Sequence, residues 1–228
     1  MNLVSRIFVT CERRSELVSK VYANICLGLA TVAAIGFGAY NLIQFGTMIT
    51  LARLAMIPTI VLPLALQIGL NSMSEATAGM IFYGYSAALG LMIAPLLHTV
   101  SSQQLILALL LTGGLVWLGL HLARNVDFGN GEAKYLNIGL LVLIAMSIIN
   151  LFLKLTMVEL LISVAGMALF VGIIGYEISE FEQENVRFGL NLNKLAMVIS
   201  LRVVCSIVNL FVYALRFLRI TGTGRDRD

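Results

Sequence analysis

Polar residues are confined to a few short stretches of this chain. Between them lie seven apolar windows, at residues 21–45, 49–70, 77–97, 104–124, 135–153, 157–176 and 195–217. About 20 residues at 1.5 Å rise cross the hydrocarbon of a bilayer, so each window predicts a transmembrane helix. Strands are not expected, because no window alternates apolar and polar positions as a membrane barrel requires. The links are short, apart from polar stretches at 125–134 and 177–194, which places consecutive helices side by side and antiparallel. The expected organisation is a basic, amphipathic N-terminal segment at 1–20, one seven-helix transmembrane domain at 21–217, and a charged tail at 218–228.

Composition settles the solvent. Hydrophobic residues make up 59% of the 228 and charged residues 12%, with a mean hydropathy of +0.95. A soluble domain of this size must turn much of its surface to water, so a soluble enzyme, a disordered chain and a nucleic-acid binder are excluded. The first partner is the lipid bilayer. A net charge of +3 identifies no other. Cys11, Cys26 and Cys205 have neither disulfide nor metal-ligand spacing, and no metal site or cofactor is indicated. Residues 1–20 carry Arg6, Arg13, Arg14 and Lys20, but Glu12 and Glu16 interrupt them and no apolar core comes first, so no signal peptide or presequence is expected.

Basic residues near span ends set orientation. Four lie in the N-terminal segment, two (Arg124, Lys134) flank the fourth-to-fifth link, and two (Arg187, Lys194) lie in the sixth-to-seventh link. These regions share one face, which is expected to be cytosolic or matrix-like. Lys154 and the tail arginines Arg216, Arg219, Arg225 and Arg227 fall on the other if the seventh helix crosses fully, against the rule. Small residues at every fourth position predict packing seams, Ala30, Ala34 and Gly38 in the first span and Ser86, Gly90 and Ala94 in the third. Pro58 and Pro63 predict a bend in the second.

Ionisable groups inside apolar windows are expensive and so mark candidate sites. Arg202 lies within the seventh window, with Ser206 one turn further on the same face. Glu177 closes the sixth. Glu177, Glu180 and Glu184 share one face if that helix continues, and with Glu182 they would form an acidic mouth that concentrates cations. Glu177 and Arg202, on facing helices, are the candidates for a gate or a buried ion pair. His98 and His121 lie near span ends, where water or headgroups meet them. Gly84-Tyr85-Ser86-Ala87 faintly suggests an intramembrane serine protease with His121 as base. The depths of Ser86 and His121 differ by roughly 9 Å at 1.5 Å per residue, however, against the roughly 3 Å that a nucleophile and its base need. No enzymatic activity is expected.

The ordered features resemble the Bax-inhibitor family of multispanning membrane proteins. The likeness rests on Leu17-Val18-Ser19-Lys20-Val21-Tyr22-Ala23, on Tyr85-Ser86-Ala87-Ala88-Leu89-Gly90 with Ala94-Pro95-Leu96-Leu97, and on Asp127-Phe128 with Ile148-Ile149-Asn150-Leu151-Phe152. It continues in Gly175-Tyr176-Glu177 with Ile207-Val208-Asn209-Leu210-Phe211 and Leu215-Arg216-Phe217. The resemblance implies a seven-helix bundle with the last helix central, a pH-sensitive calcium leak across internal membranes, and suppression of cell death. In the family the leak is linked to two acids that share a proton, one closing the sixth helix and one in the seventh. These latch to a basic residue near the end of the second helix. Here Glu177 stands at the first place, Ser206 at the second, and the uncharged Ser72–Ser74 stretch at the basic one, with Arg202 added nearby.

A carboxylate paired with arginine in place of a second acid would lock two helices and repel calcium. The resemblance therefore implies a calcium or proton leak, or a cell-death regulator, with an altered gate. The alternative is a non-conducting accessory subunit of a larger membrane assembly, with other membrane subunits as partners in place of calcium. The expected location is an internal membrane, the mitochondrial inner membrane or the endoplasmic reticulum.

Overall fold

The computed structural model describes residues 3–69, 72–126, 130–183 and 191–222, without the side chains of 3–14, 130–133 and 181–183. Among these residues the apolar windows form seven helices: α1 Leu3–Leu42, α2 Phe45–Gly69, α3 Glu75–Leu97, α4 Ser102–Asn125, α5 Asn130–Leu153, α6 Thr156–Gln183 and α7 Leu192–Gly222. No strand occurs among the described residues. All seven helices are long and apolar enough to cross a membrane, so the chain is an all-α, multi-pass transmembrane protein. The helices exceed the predicted windows mainly where they leave the apolar zone. Helix α1 runs without a break from Leu3 into the first span, α6 continues to Gln183, and α7 reaches Gly222.

Local chemistry sets the breaks. Ser101 and Gln104 form a capping box at the start of α4, Gln104 N donating to Ser101 Oγ and Ser101 N to Gln104 Oε1. Asn191 Oδ1 accepts from the backbone N–H groups of Asn193 and Lys194 and so opens α7. Between α5 and α6, Lys154 takes a left-handed φ of 52°. That turn is held by Asn150, whose side-chain oxygen accepts from Leu155 N at 3.1 Å. Pro58 and Pro63 both lie inside α2, which stays a single helix through them.

The chain divides into two compact units. The first comprises Met1–Leu96 and Glu182–Val204, the second Leu97–Phe181 and Cys205–Asp228. In the first, α1 lies parallel to α3: Gly28 packs against Phe82 and Ser86, and further along Gly36 packs against Gly90. The α3 seam of Ser86, Gly90 and Ala94 is buried as predicted. The α1 seam is not the predicted one. Ala30 and Ala34 are exposed, and the buried stripe is Val21, Ile25, Gly28, Val32, Gly36 and Ala39. Four-residue spacing of small side chains occurs on both faces of α1. The face carrying Gly28 and Gly36 turns inward, where Gly36 lets the α1 backbone lie close against Gly90 of α3. The first part of α7 completes this core with Leu201, Val203 and Val204, and the buried Ser200 hydroxyl lies 3.0 Å from the Val21 carbonyl oxygen.

In the second unit α6 packs on α4 through Gly119, on α5 through Gly139 and Gly172, and on the latter part of α7 through Gly166. Ala108, Ala214 and Leu215 form a small core between α4 and α7. Burial differs sharply among the helices. In the most apolar stretch of α7, 61% of positions are buried, against 6% in α5. Helix α7 is thus the most buried of the seven and α5 the most exposed.

Candidate functional site

The site lies where α6 and the latter part of α7 run antiparallel. Glu159, Gly166 and Glu177 of α6 meet Arg219, Tyr213 and Ser206 of α7 in that order. Their positions fall along α7 as they rise along α6. Gly166 fits this register, because a side chain there would collide with the Tyr213 ring.

Glu177 is half-buried, between the buried pairs Ile174 and Gly175 on one side and Ile178 and Ser179 on the other. Its Oε2 accepts a hydrogen bond from Ser206 Oγ at 3.0 Å, and Ser206 itself is 3% exposed. The structure therefore joins two of the sequence-predicted residues through a hydrogen bond from the Ser206 hydroxyl to the Glu177 carboxyl group. Arg202, one turn before Ser206, belongs to the first unit and is exposed there, although Leu201, Val203 and Val204 around it are buried. Helix α6 does continue past Glu177, and Glu180 is exposed on its last turns. Glu184 lies outside the described residues, as does the side chain of Glu182. One turn along α7, Asn209 Nδ2 donates to the Cys205 carbonyl oxygen at 3.0 Å and lies 3.3 Å from its sulfur.

The other residues singled out from sequence are placed as follows. Ser86 Oγ donates to the Phe82 carbonyl of its own helix at 3.0 Å, a buried back-bond. His121 stacks on Trp117 at 5.7 Å near the end of α4, with Asn125 Nδ2 3.2 Å from its Nε2. His98 is exposed just beyond α3.

Two polar contacts at helix ends were not foreseen. Arg219 Nη2 lies 2.6 Å from Glu159 Oε1, tying the last turn of α7 to the first turn of α6. Each charge sits at the helix end whose dipole favours it, and the pair compensates one of the tail arginines that conflict with the orientation rule. In the first unit, the Glu75 carboxylate accepts from the side-chain amides of Asn191 and Asn193, and Lys194 Nζ donates to the Met73 carbonyl at 3.0 Å. The start of α7 is thereby fastened to the α2–α3 turn. The available signal was an acid in the first turn of α3 and an amide-rich start to α7. Their pairing spans more than a hundred residues and has no local trace.

Comparison with known proteins agrees with this architecture. The family model described as inhibitor of apoptosis-promoting Bax1 matches residues 14–223. A Borreliella burgdorferi protein is 28% identical over 214 residues, covering 89% of this chain and 85% of its own. The Escherichia coli K12 inner membrane protein YbhL is 26% identical over 217 residues, covering 91% and 92% respectively. The Lactococcus lactis protein YrjE is 25% identical over 230 residues, covering 96% and 98%. A model match over residues 14–223, nearly the whole of a chain with seven helices long and apolar enough to span a membrane, shows that this chain belongs to the Bax-inhibitor family.

Proposed function

We propose that the chain is a non-enzymatic cation leak of the Bax-inhibitor kind, passing calcium or protons through a gate that has lost its second acid. The observation that carries this reading is the hydrogen bond from Ser206 to Glu177. It sets a neutral hydroxyl where the family places a carboxylate. Two carboxylates in contact share a proton and titrate as a coupled pair. The Ser206 hydroxyl, unlike a second acid, offers no carboxyl group with which to share that proton. The contact still ties α6 to α7, and the exposed Glu180 extends the acidic lining beyond it. The relatives described above are bacterial and one is named an inner membrane protein. On that ground we assign this chain to an inner membrane, bacterial or mitochondrial, in preference to the endoplasmic reticulum. A role in cell-death regulation would follow from the leak and needs no further site.

The test is calcium flux into liposomes holding the purified full chain and an internal indicator. The wild type is expected to leak, Glu177→Gln to abolish the leak, and Ser206→Asp, which sets a second acid beside Glu177, to make the leak more steeply pH-dependent than in the wild type. Ser206→Ala, which removes the hydroxyl that donates to Glu177, reports on the same contact if the aspartate is not tolerated in a buried position. Absence of calcium and proton flux from the wild type at every pH would overturn the proposal. The reading would then be the non-conducting subunit, for which co-migration with a large assembly in mild detergent is the direct check.

A further inference from the structure

We propose that the cleft between α5 and α6 binds one acyl chain of an anionic phospholipid, with Lys154 at the level of its headgroup. The cleft has a volume of about 270 Å³. Gly139, Leu143 and Met146 line it from α5, and Leu161, Ile162 and Ala165 from α6. Leu143 and Ile162 are buried and form its floor, while Met146 and Leu161 stand exposed as its rims. The space exists because Gly139 and Ala165 are small. At Gly139 the helices are already close, a Cβ there lying 3.0 Å from Leu169 Cδ1. A helix from a second copy is about 10 Å across with its side chains, and a hollow of about 270 Å³ does not hold even one turn of it. A stretch of a single extended hydrocarbon chain fits.

Charge selects the lipid. The α5–α6 turn lies beyond one end of the cleft, and Lys154 is exposed there on a left-handed backbone. The acid nearest to it in the sequence, Glu159, is engaged by Arg219. At 1.5 Å per residue the α5 lining begins about 12 Å from Lys154 and ends about 22 Å away. An acyl chain descending from a phosphate beside Lys154 therefore runs along it. This inference does not depend on whether the protein conducts ions.

The experiment is native mass spectrometry of the purified, delipidated full chain, titrated with phosphatidylglycerol or phosphatidylcholine of identical acyl chains. The wild type is expected to retain phosphatidylglycerol about fivefold better, the increment of one basic residue near an anionic lipid. Lys154→Asn keeps a residue that accepts the left-handed backbone and should abolish the preference. Ala165→Leu fills the hollow from an exposed position and should lower retention of both lipids. Equal retention of the two lipids by the wild type, a preference that survives Lys154→Asn, or retention untouched by Ala165→Leu would each overturn the proposal. Displacement of the phospholipid by glycerol phosphate, which has no acyl chain, would also overturn it.

Discussion

Gly36 and Gly90 meet backbone to backbone where α1 lies along α3. A Cβ at Gly36 would sit 3.2 Å from the Gly90 carbonyl oxygen. A Cβ at Gly90 would sit 2.7 Å from the Val32 carbonyl oxygen and 3.1 Å from Gly36 N. These neighbours are main chain and cannot rotate aside. In lipid, where the hydrophobic effect gives no drive between helices, such close approach is the main source of packing energy.

Gly90→Ala should therefore force α1 and α3 apart and destabilise the protein by about 1–3 kcal/mol, the usual cost of overpacking. Gly38→Ala is the control, because a Cβ there meets nothing within 4 Å, and alanine's better helix propensity should leave it neutral or slightly stabilising. Thermal unfolding of the two purified variants checks both. A Gly90→Ala protein as stable as Gly38→Ala would show that the α1–α3 contact is not the tight one.

The same pair of helices marks how far the sequence could be read. Seven spans were legible because each is a long run of apolar residues, and the α3 seam was legible because Ser86, Gly90 and Ala94 recur at every fourth position on one face. The α1 face was not, since Ala30 and Ala34 repeat at the same spacing as Gly28, Val32 and Gly36, and only the approach of α3 distinguishes the two faces. Glu177 stood out as an acid closing an apolar run, and Ser206 through its position one turn beyond Arg202. Glu75 opens an apolar run and so resembles any charged loop residue. Its partners Asn191 and Asn193 reach it only through the tertiary fold.

That contact should hold the first turn of α7. Glu75→Ala removes the acceptor for both asparagine side chains and leaves Lys194 on Met73 as the remaining tie. Glu75 is exposed, so the loss is modest, about 1 kcal/mol. Hydrogen exchange in the first turns of α7 should then quicken about fivefold, with little change around Ser206. Equal acceleration along the whole helix would mean that Glu75 stabilises the fold globally and is not a local fastening.

At the other end of α7, Arg219 and Glu159 have side chains 38% and 31% exposed. Their ion pair is partly screened, and a double-mutant cycle of Arg219→Gln with Glu159→Gln should give a coupling of about 0.5–1 kcal/mol. The coupling should shrink at high salt, because a half-exposed pair is open to counterions. A value that is zero at low salt would remove this contact from the forces that set the α6–α7 register.

Gly166 offers the sharpest test of that register. A Cβ there would fall 2.7–2.9 Å from three atoms of the Tyr213 ring. The ring has little room to yield, being stacked on Phe170 at 5.8 Å with Arg216 Cζ 5.7 Å from its centroid. Gly166→Ala should cost about 1–3 kcal/mol by overpacking, and Tyr213→Leu should cost stability by losing the stack. Combined, the two should be less damaging than the sum, since removing the ring makes room for the methyl group, giving a favourable coupling of about 1 kcal/mol. Melting temperatures of the two single variants and the double variant decide it. Strict additivity would mean that α6 and α7 are not in contact at this point, and the alignment that brings Ser206 to Glu177 would have to shift with them.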